Sequence, residues 1–219
     1  MKSTARMTAE DRRQAIVRAA TAVFVEKGFR GTTTRQLAEA AGVSEALLFK
    51  HFPSKEALYA AILTTCFDKE SARIGRQLRL VKPSTEALVL LVEDLVSHIL
   101  GGDADERKLA FFRLVVRSLL DEGEFTRWAI QGGPTQWVRK VHECVDAARE
   151  AGDLVERPVQ QPLAGWFVHQ LIVGLMLHIL PDEPVVDYGV SREELIKQAV
   201  RFCLRGMGLS EQAIARYCS

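Results

Sequence analysis

Residues 33–52, TTRQLAEAAGVSEALLFKHF, read as two short helices joined by a tight turn. The Thr33 hydroxyl can accept from a free backbone N–H, and Gln36 stands three residues on, so the pair predicts a capping box at a helix start. Leu37, Ala38 and Ala41 recur at helical spacing and give a small apolar face. Gly42 follows, the residue in which a helix can stop with left-handed backbone. Ser44 then caps a second helix carrying Glu45, Ala46, Leu47, Leu48, Phe49, Lys50 and His51. Two helices joined by a few residues with a glycine in the turn are the signature of the DNA-binding helix-turn-helix, whose second helix enters the major groove.

The flanks fit this reading. Thr8 caps a first helix running to Lys27, with Asp11 at its third position, and Gly28 ends it. Its apolar face is Ile16, Ala20, Val23 and Phe24, and Phe29 tucks under the following helix pair. The expected core of this three-helix unit is Ile16, Ala20, Phe24, Leu37, Ala38, Val43, Leu48 and Phe52. Ser54 caps the next helix, which continues to about Leu80, about 38 Å at 1.5 Å per residue. The second half of that helix is charged (Asp68, Lys69, Glu70, Arg73, Arg76, Arg79) and is expected to be exposed.

The chain has 219 residues, enough for one or two domains with a sizeable core. Its formal net charge is only +1, but the charge is unevenly placed. Residues 1–55 hold ten of the 29 Lys and Arg and five of the 28 Asp and Glu, a formal +5 against −4 for the remainder. A basic end on a slightly acidic chain suits phosphate binding at one place; taken alone it is equally a solvated, charged first helix. The four cysteines (Cys66, Cys144, Cys203, Cys218) are scattered without a CxxC. Free thiols in a reducing compartment are therefore expected rather than disulfides or a zinc site. The N-terminal MKSTARMTAEDRRQ has no apolar core of a signal peptide, so a cytoplasmic protein is expected.

Beyond Pro83, amphipathic helices are read over 86–100, 103–120 and 121–130, with Leu109, Phe112, Val116 and Leu119 forming one face of the second. Gly132-Gly133-Pro134 breaks the pattern, and a further helix spans 135–151. Residues 163–180, LAGWFVHQLIVGLMLHIL, are apolar over 18 positions, long enough to raise a membrane span. Trp166-Phe167 and His169-Gln170 lie inside the segment and no second one exists. A buried or subunit-interface helix is the better reading, and no membrane partner is expected. Ser191, with Glu194 three on, caps a last long helix to Gly206, and residues 209–217 add a turn or two.

The N-terminal part resembles the DNA-binding domain of TetR-family transcriptional repressors. The resemblance rests on Gly28-Phe29, Thr32-Thr33-Thr34, Leu37-Ala38, Gly42-Val43-Ser44, Phe49, Phe52, Ser54-Lys55-Glu56 and Leu58. It extends back through Ile16, Ala19-Ala20 and Val23-Phe24 and covers roughly residues 10–59. One departure is clear: Phe49 stands where the family usually has a tyrosine, so a phosphate contact through that hydroxyl is lost. The resemblance implies a DNA-binding set of Thr33, Thr34, Arg35, Ser44, Glu45, Ala46, Leu47, Phe49, Lys50, His51 and Lys55. Arg35 could pair with guanine or with a phosphate. Glu45 could accept from a cytosine amine or merely favour the positive end of its helix, and Ala46 or Leu47 could touch a thymine methyl. Thr33, Thr34, Lys50, His51 and Lys55 look like phosphate contacts, which set position rather than sequence choice.

Enzyme signatures are missing: no GxSxG, Walker glycine loop, HExxH or GxGxxG occurs. His169 and His178 are nine apart, on opposite faces of one helix, and cannot share a metal. No catalytic residue, cofactor or metal site is expected. An apolar pocket with a few polar groups would instead draw on His98, Phe111, Phe112, Trp128, Trp137, Trp166, His169 and Gln170. A dimer interface is expected at Leu171, Leu175, Ala199 and Phe202, because two apolar helices leave more apolar surface than a monomer usually exposes. The expected fold is all-α, about nine helices: an N-terminal three-helix helix-turn-helix DNA-binding domain at 1–55 and a C-terminal helical effector-binding and dimerisation domain at 56–219. The expected function is a homodimeric, ligand-responsive repressor of a palindromic double-stranded DNA operator, released by a small, mostly apolar or aromatic effector. A constitutive DNA-binding regulator and, more remotely, a helical enzyme remain open.

Overall fold

The computed structural model describes residues 7–101, 106–121, 123–131, 133–155, 159–160, 163–181 and 183–218, with side chains left out over 63–74 and 106–108. These residues form eleven α-helices, eight of them after the helix-turn-helix. They are α1 (Ala9–Lys27), α2 (Thr34–Ala40), α3 (Glu45–His51), α4 (Lys55–Leu80), α5 (Thr85–Leu100), α6 (Glu106–Leu120), α7 (Glu124–Gln131), α8 (Gly133–Glu150), α9 (Leu163–Ile179), α10 (Arg192–Gly206) and α11 (Glu211–Tyr217). Among the described residues the only β-type pairing is an isolated bridge between Leu154 and Leu209. No described helix is long and apolar enough to cross a membrane. The chain divides into two compact units, residues 1–72 with 104–132, and residues 73–103 with 133–219. The first unit is thus larger than residues 1–55, because α6 and α7 pack into it.

In the first unit, α1 begins at a reciprocal capping box. The Asp11 N–H donates to Thr8 Oγ1 at 3.1 Å, and the Thr8 N–H donates to Asp11 Oδ2 at 3.3 Å. Ile16, Val17, Ala20 and Phe24 line its buried face. They pack with Leu37, Ala38, Leu48 and Phe52 as the helical spacing requires, and Val43 packs half-buried against the same core. The later chain completes this core with Leu58, Tyr59, Leu114 and Phe125. Rings of Phe24, Phe29 and Phe125 meet Tyr59 at centroid distances of 4.8, 4.9 and 5.1 Å, and Phe111 lies 5.9 Å from Phe125. Each such buried aromatic or aliphatic side chain contributes about 1.5–3 kcal/mol.

The side of α6 that meets this core is Phe111, Leu114 and Val115, with Ser118 buried beside them. The expected face of Leu109, Phe112, Val116 and Leu119 is not the core face; Leu119 is exposed. The helix carries apolar residues on two sides, so periodicity alone could not choose between them. Buried Ser118 is satisfied: its Oγ accepts from the Thr126 N–H, and the Thr126 hydroxyl donates to the Val115 carbonyl, tying α7 back onto α6. The expected helix start at Asp103 and the charged side chains Asp68, Lys69, Glu70 and Arg73 lie outside the described residues. Arg76 and Arg79 are exposed.

In the second unit, α5 is the hub, packed by α8, α9, α10 and α11. It buries Leu88, Val89, Leu91, Val92, Val96, Ile99 and Leu100. The helix starts at Thr85, one residue before the expected start, behind a Ser84 cap whose Oγ accepts from the Ala87 N–H. Likewise α8 begins at Gly133 and runs through Pro134; a proline in the first turn lacks only an N–H that would have no intrahelical partner. At the far end of α8, buried Asp153 accepts from the Thr85 hydroxyl at 2.6 Å and from Arg216 at 3.4 Å. α9 approaches α8 at Gly165, where an added Cβ would lie 3.2 Å from Val138 Cγ1.

Candidate nucleic-acid interface

Both short helices of the candidate site are fixed at their starts by their own sequence. Thr33 caps α2 in a capping box, with its Oγ1 accepting from the Gln36 N–H and the Gln36 side chain accepting from the Thr33 N–H at 3.0 Å. Gly42, at φ 64°, makes the turn. Ser44 caps α3 by accepting from the Leu47 N–H at 3.2 Å. Leu48 and Phe52 are buried, which sets the rotation of α3. That rotation leaves Glu45, Ala46, Phe49 and Lys50 exposed and Leu47 and His51 half-exposed. Phe49 is 43 % exposed, a large apolar ring presented outward.

Arg35 projects from α2 and pairs with Glu39 one turn on, Nε to Oε1 2.9 Å. Its guanidinium is held above its ordinary pKa by the hydrogen bond and charge of Glu39. Both groups are exposed, so the pair contributes little to stability and leaves Arg35 able to exchange partners.

Two assignments change. The Thr34 hydroxyl donates to Glu45 Oε2 at 2.7 Å across the turn. A hydroxyl has one proton to give, so Thr34 does not also donate to a phosphate in this arrangement. Lys55 is not a free surface cation either. Its Nζ donates to the carbonyls of Phe29 and Thr32 at 2.9 and 3.0 Å and lies 4.2 Å from the Phe29 ring centroid. It clamps the turn between α1 and α2 to the start of α4. One cation at the end of α3 was not singled out from sequence: the Arg13 guanidinium lies 4.6 Å over the Phe52 ring.

Residues 16–62 match the family model described as bacterial regulatory proteins, tetR family. YvkB, an HTH-type transcriptional regulator of Bacillus subtilis, is 47 % identical over 183 residues, covering 80 % of this chain and 92 % of YvkB. The chain belongs to the tetR family. With RutR, an HTH-type transcriptional regulator of Escherichia coli, identity is 49 % over 57 residues, covering 26 % of this chain. The match spans only 27 % of RutR's own length. Among solved structures, NalD, the secondary repressor of the MexAB-OprM multidrug efflux pump in Pseudomonas aeruginosa, superposes with a TM-score of 0.64 at 23 % identity, covering 92 % of this chain and 98 % of NalD. That likeness is one of fold.

The tetR-family protein distributes its other candidate residues unevenly. Phe111, Phe112 and Trp128 lie in the first unit; Phe111 belongs to its aromatic core and Trp128 is exposed. His98, Trp137, Trp166, His169 and Gln170 lie in the second. The eight therefore do not form one lining within either unit. Trp137 is buried with its indole N–H donated to the Leu91 carbonyl at 3.2 Å, a satisfied core residue. Trp166 sets its edge against His169, 6.0 Å between ring centroids. His98 and Gln170 are exposed. The buried atoms His169 Nδ1 and His142 Nε2 have no hydrogen-bond partner in the chain, and burial lowers the His169 pKa.

On α9, Ala164, Val168, Ile172 and Met176 are buried, while Leu163 and Phe167 are exposed and Leu171 and Leu175 half-exposed on the adjacent ridge. On α10, Phe202 is 65 % exposed, but Ala199 is only 6 % exposed. Ala199 shares the inward face with Val200 and Cys203, so it belongs to its own unit's core rather than to an interface.

Proposed function

We propose that this tetR-family protein is a homodimeric, ligand-responsive transcriptional repressor. It binds a palindromic double-stranded operator through residues 1–55 and is released by a small, mostly apolar or aromatic effector bound within residues 56–219. The observation that carries the reading is the aim of α3: Ser44 caps it, Leu48 and Phe52 anchor it, and Glu45, Ala46, Phe49 and Lys50 face outward. A short recognition helix held this way can place its first turn against base edges while the surrounding cations meet phosphates. The purified protein should bind a palindromic site upstream of its own or a neighbouring gene, with affinity falling steeply with salt. Salt-independent binding, or none to any upstream fragment, would refute the reading.

The effector site proposed is the packed group of α5, α8 and α9, with His169 as polar anchor beside Trp166. A half-buried imidazole whose buried Nδ1 has no partner in the chain suits a ligand that is apolar with one hydrogen-bonding group. Effector binding shifts the population away from the operator-competent state. A thermal-shift screen with lipophilic and aromatic compounds, read beside operator release, tests this; release by a highly phosphorylated effector alone would overturn it. The outer ridges of α9 and α10, with Phe167, Leu171, Leu175 and Phe202, form the proposed self-complementary dimer face.

A further inference from the structure

The bond between Thr34 and Glu45 has a consequence for sequence choice. It joins a residue of α2 to the first residue of α3, 11 positions apart and across the turn. Glu45 is not needed as a cap, because Ser44 already serves the start of α3. Its carboxylate is exposed, one oxygen is held at 2.7 Å by Thr34, and the other is free to accept. Thr34 itself is half-buried as the first residue of capped α2. The carboxylate thus stands at a fixed place in the turn of α3 that meets base edges in a helix-turn-helix.

The rest of α3 narrows what this end can read. It contains no Arg, Asn or Gln, the residues that supply most bidentate pairs to purines. Lys50 stands in the last turn. In the first turn Glu45 is the polar reader, flanked by apolar Ala46 and, one turn on, Phe49. A carboxylate only accepts. In the major groove guanine offers N7 and O6 acceptors, thymine an O4 acceptor, and adenine an amine beside the N7 acceptor. Cytosine offers the N4 amine with no acceptor next to it on its own edge. Everywhere else the negative charge of Glu45 is repelled by acceptors and by the phosphate backbone.

We propose that Glu45 selects cytosine at one position of each operator half-site and that Thr34 is the positioning residue that holds its carboxylate for this contact. This rests on the DNA-binding reading above. The charge acts twice: it gains a hydrogen bond at the matched base and it weakens binding to every unmatched sequence.

The test is selection of the full-length protein on duplexes with a randomised half-site, comparing wild type with Glu45→Gln, Thr34→Val and Thr34→Ser, with thermal unfolding as a check on folding. The wild type should require cytosine at one position by about tenfold. Glu45→Gln should move that position to adenine, since a glutamine can pair bidentately with N6 and N7, and should raise affinity for unrelated DNA. Thr34→Val, equal in shape but without the donor, should weaken the cytosine preference at the same position only, and Thr34→Ser should restore it. A merely structural role for the bond would shift unfolding and leave base preference untouched. A wild-type profile without a required cytosine, or an unchanged profile in Glu45→Gln, overturns the assignment while the DNA-binding reading stands. No enrichment of any sequence by the wild type removes both.

Discussion

Lys55→Met separates a structural cation from a phosphate-binding one. In the folded chain the ammonium makes two charge-assisted hydrogen bonds, to the Phe29 and Thr32 carbonyls at 2.9 and 3.0 Å, and sits 4.2 Å from the Phe29 ring centroid. Methionine keeps the length of the stem and removes all three interactions. A hydrogen bond to a charged group contributes about 1.5–3 kcal/mol and an exposed cation–π contact about 0.5–1 kcal/mol. Water can reach part of this half-buried site, so a net loss of about 2–4 kcal/mol is the reasonable expectation. At about 1.4 kcal/mol per tenfold, amide hydrogen exchange through the 28–33 turn and the start of α2 should speed up by about 30- to 800-fold. The salt dependence of operator binding should keep its slope. A phosphate contact predicts the reverse: unchanged exchange, and a slope reduced by about 0.9 for each protomer that loses the contact. That second pattern would refute the clamp.

Further expectations concern backbone, assembly and pH. Gly28 lies at φ 72°, ψ 173°, a region essentially closed to side chains, and an added Cβ would sit 2.9 Å from Arg117 Nε. Gly28→Ala should therefore cost about 2–4 kcal/mol by urea unfolding. Gly42→Ala, at φ 64° with open space around it, should cost only about 1 kcal/mol; equal costs would contradict the account. Phe202→Arg and Leu175→Arg should sediment as folded monomers with lost operator binding, whereas Ala199→Arg should unfold its unit. A dimeric Phe202→Arg protein would show that the α9–α10 face is not the interface. Burial depresses the His169 pKa below 6.5, so the native state binds fewer protons than the unfolded one. Its stability should be unaffected above about pH 6.5 and should fall as pH drops through that value toward the native pKa. His169→Phe should remove this part of the acid sensitivity in melting curves between pH 5 and 8 (roughly the range that brackets an ordinary imidazole); an unchanged acid limb would show that His169 does not cause it.

Local signals were legible in the sequence and distant ones were not. Thr8 with Asp11, Thr33 with Gln36, and Ser44 before Glu45 act within one turn, so their caps could be read directly. The face of α1 and the core from Ile16 to Phe52 followed from a single helical period. From sequence Lys55 looks like a phosphate contact, because its partners are backbone carbonyls 23 and 26 residues upstream, and carbonyls carry no sequence signal. The tie from Thr34 to Glu45 depends on the angle of the turn. The entry of α6 and α7 into the first core through Leu114 and Phe125 could not be seen either, because α6 has two apolar sides. The same ambiguity placed Phe111 in an expected ligand set and Ala199 in an expected interface. On a helix with apolar residues on more than one side, composition does not say which stripe faces inward. Pro134 reads as a breaker from sequence, which does not reveal that it falls in the first turn of α8.

The three tryptophans give the molecule separate optical reporters. Trp128, 43 % exposed, should emit at long wavelength and be reached by iodide. Trp137, buried with its N–H bonded to a carbonyl, should emit at short wavelength and escape the quencher. Trp166 stands edge-on to His169, and a protonated imidazole quenches a neighbouring excited indole. Its emission should dim as His169 takes up a proton and change again when a molecule comes to lie against the ring pair. Trp166→Phe should abolish the pH-dependent part of the signal and leave the iodide-sensitive part intact. A protein whose regulator ligand is sought then needs no added dye, because an indole already stands beside the group proposed to hold it.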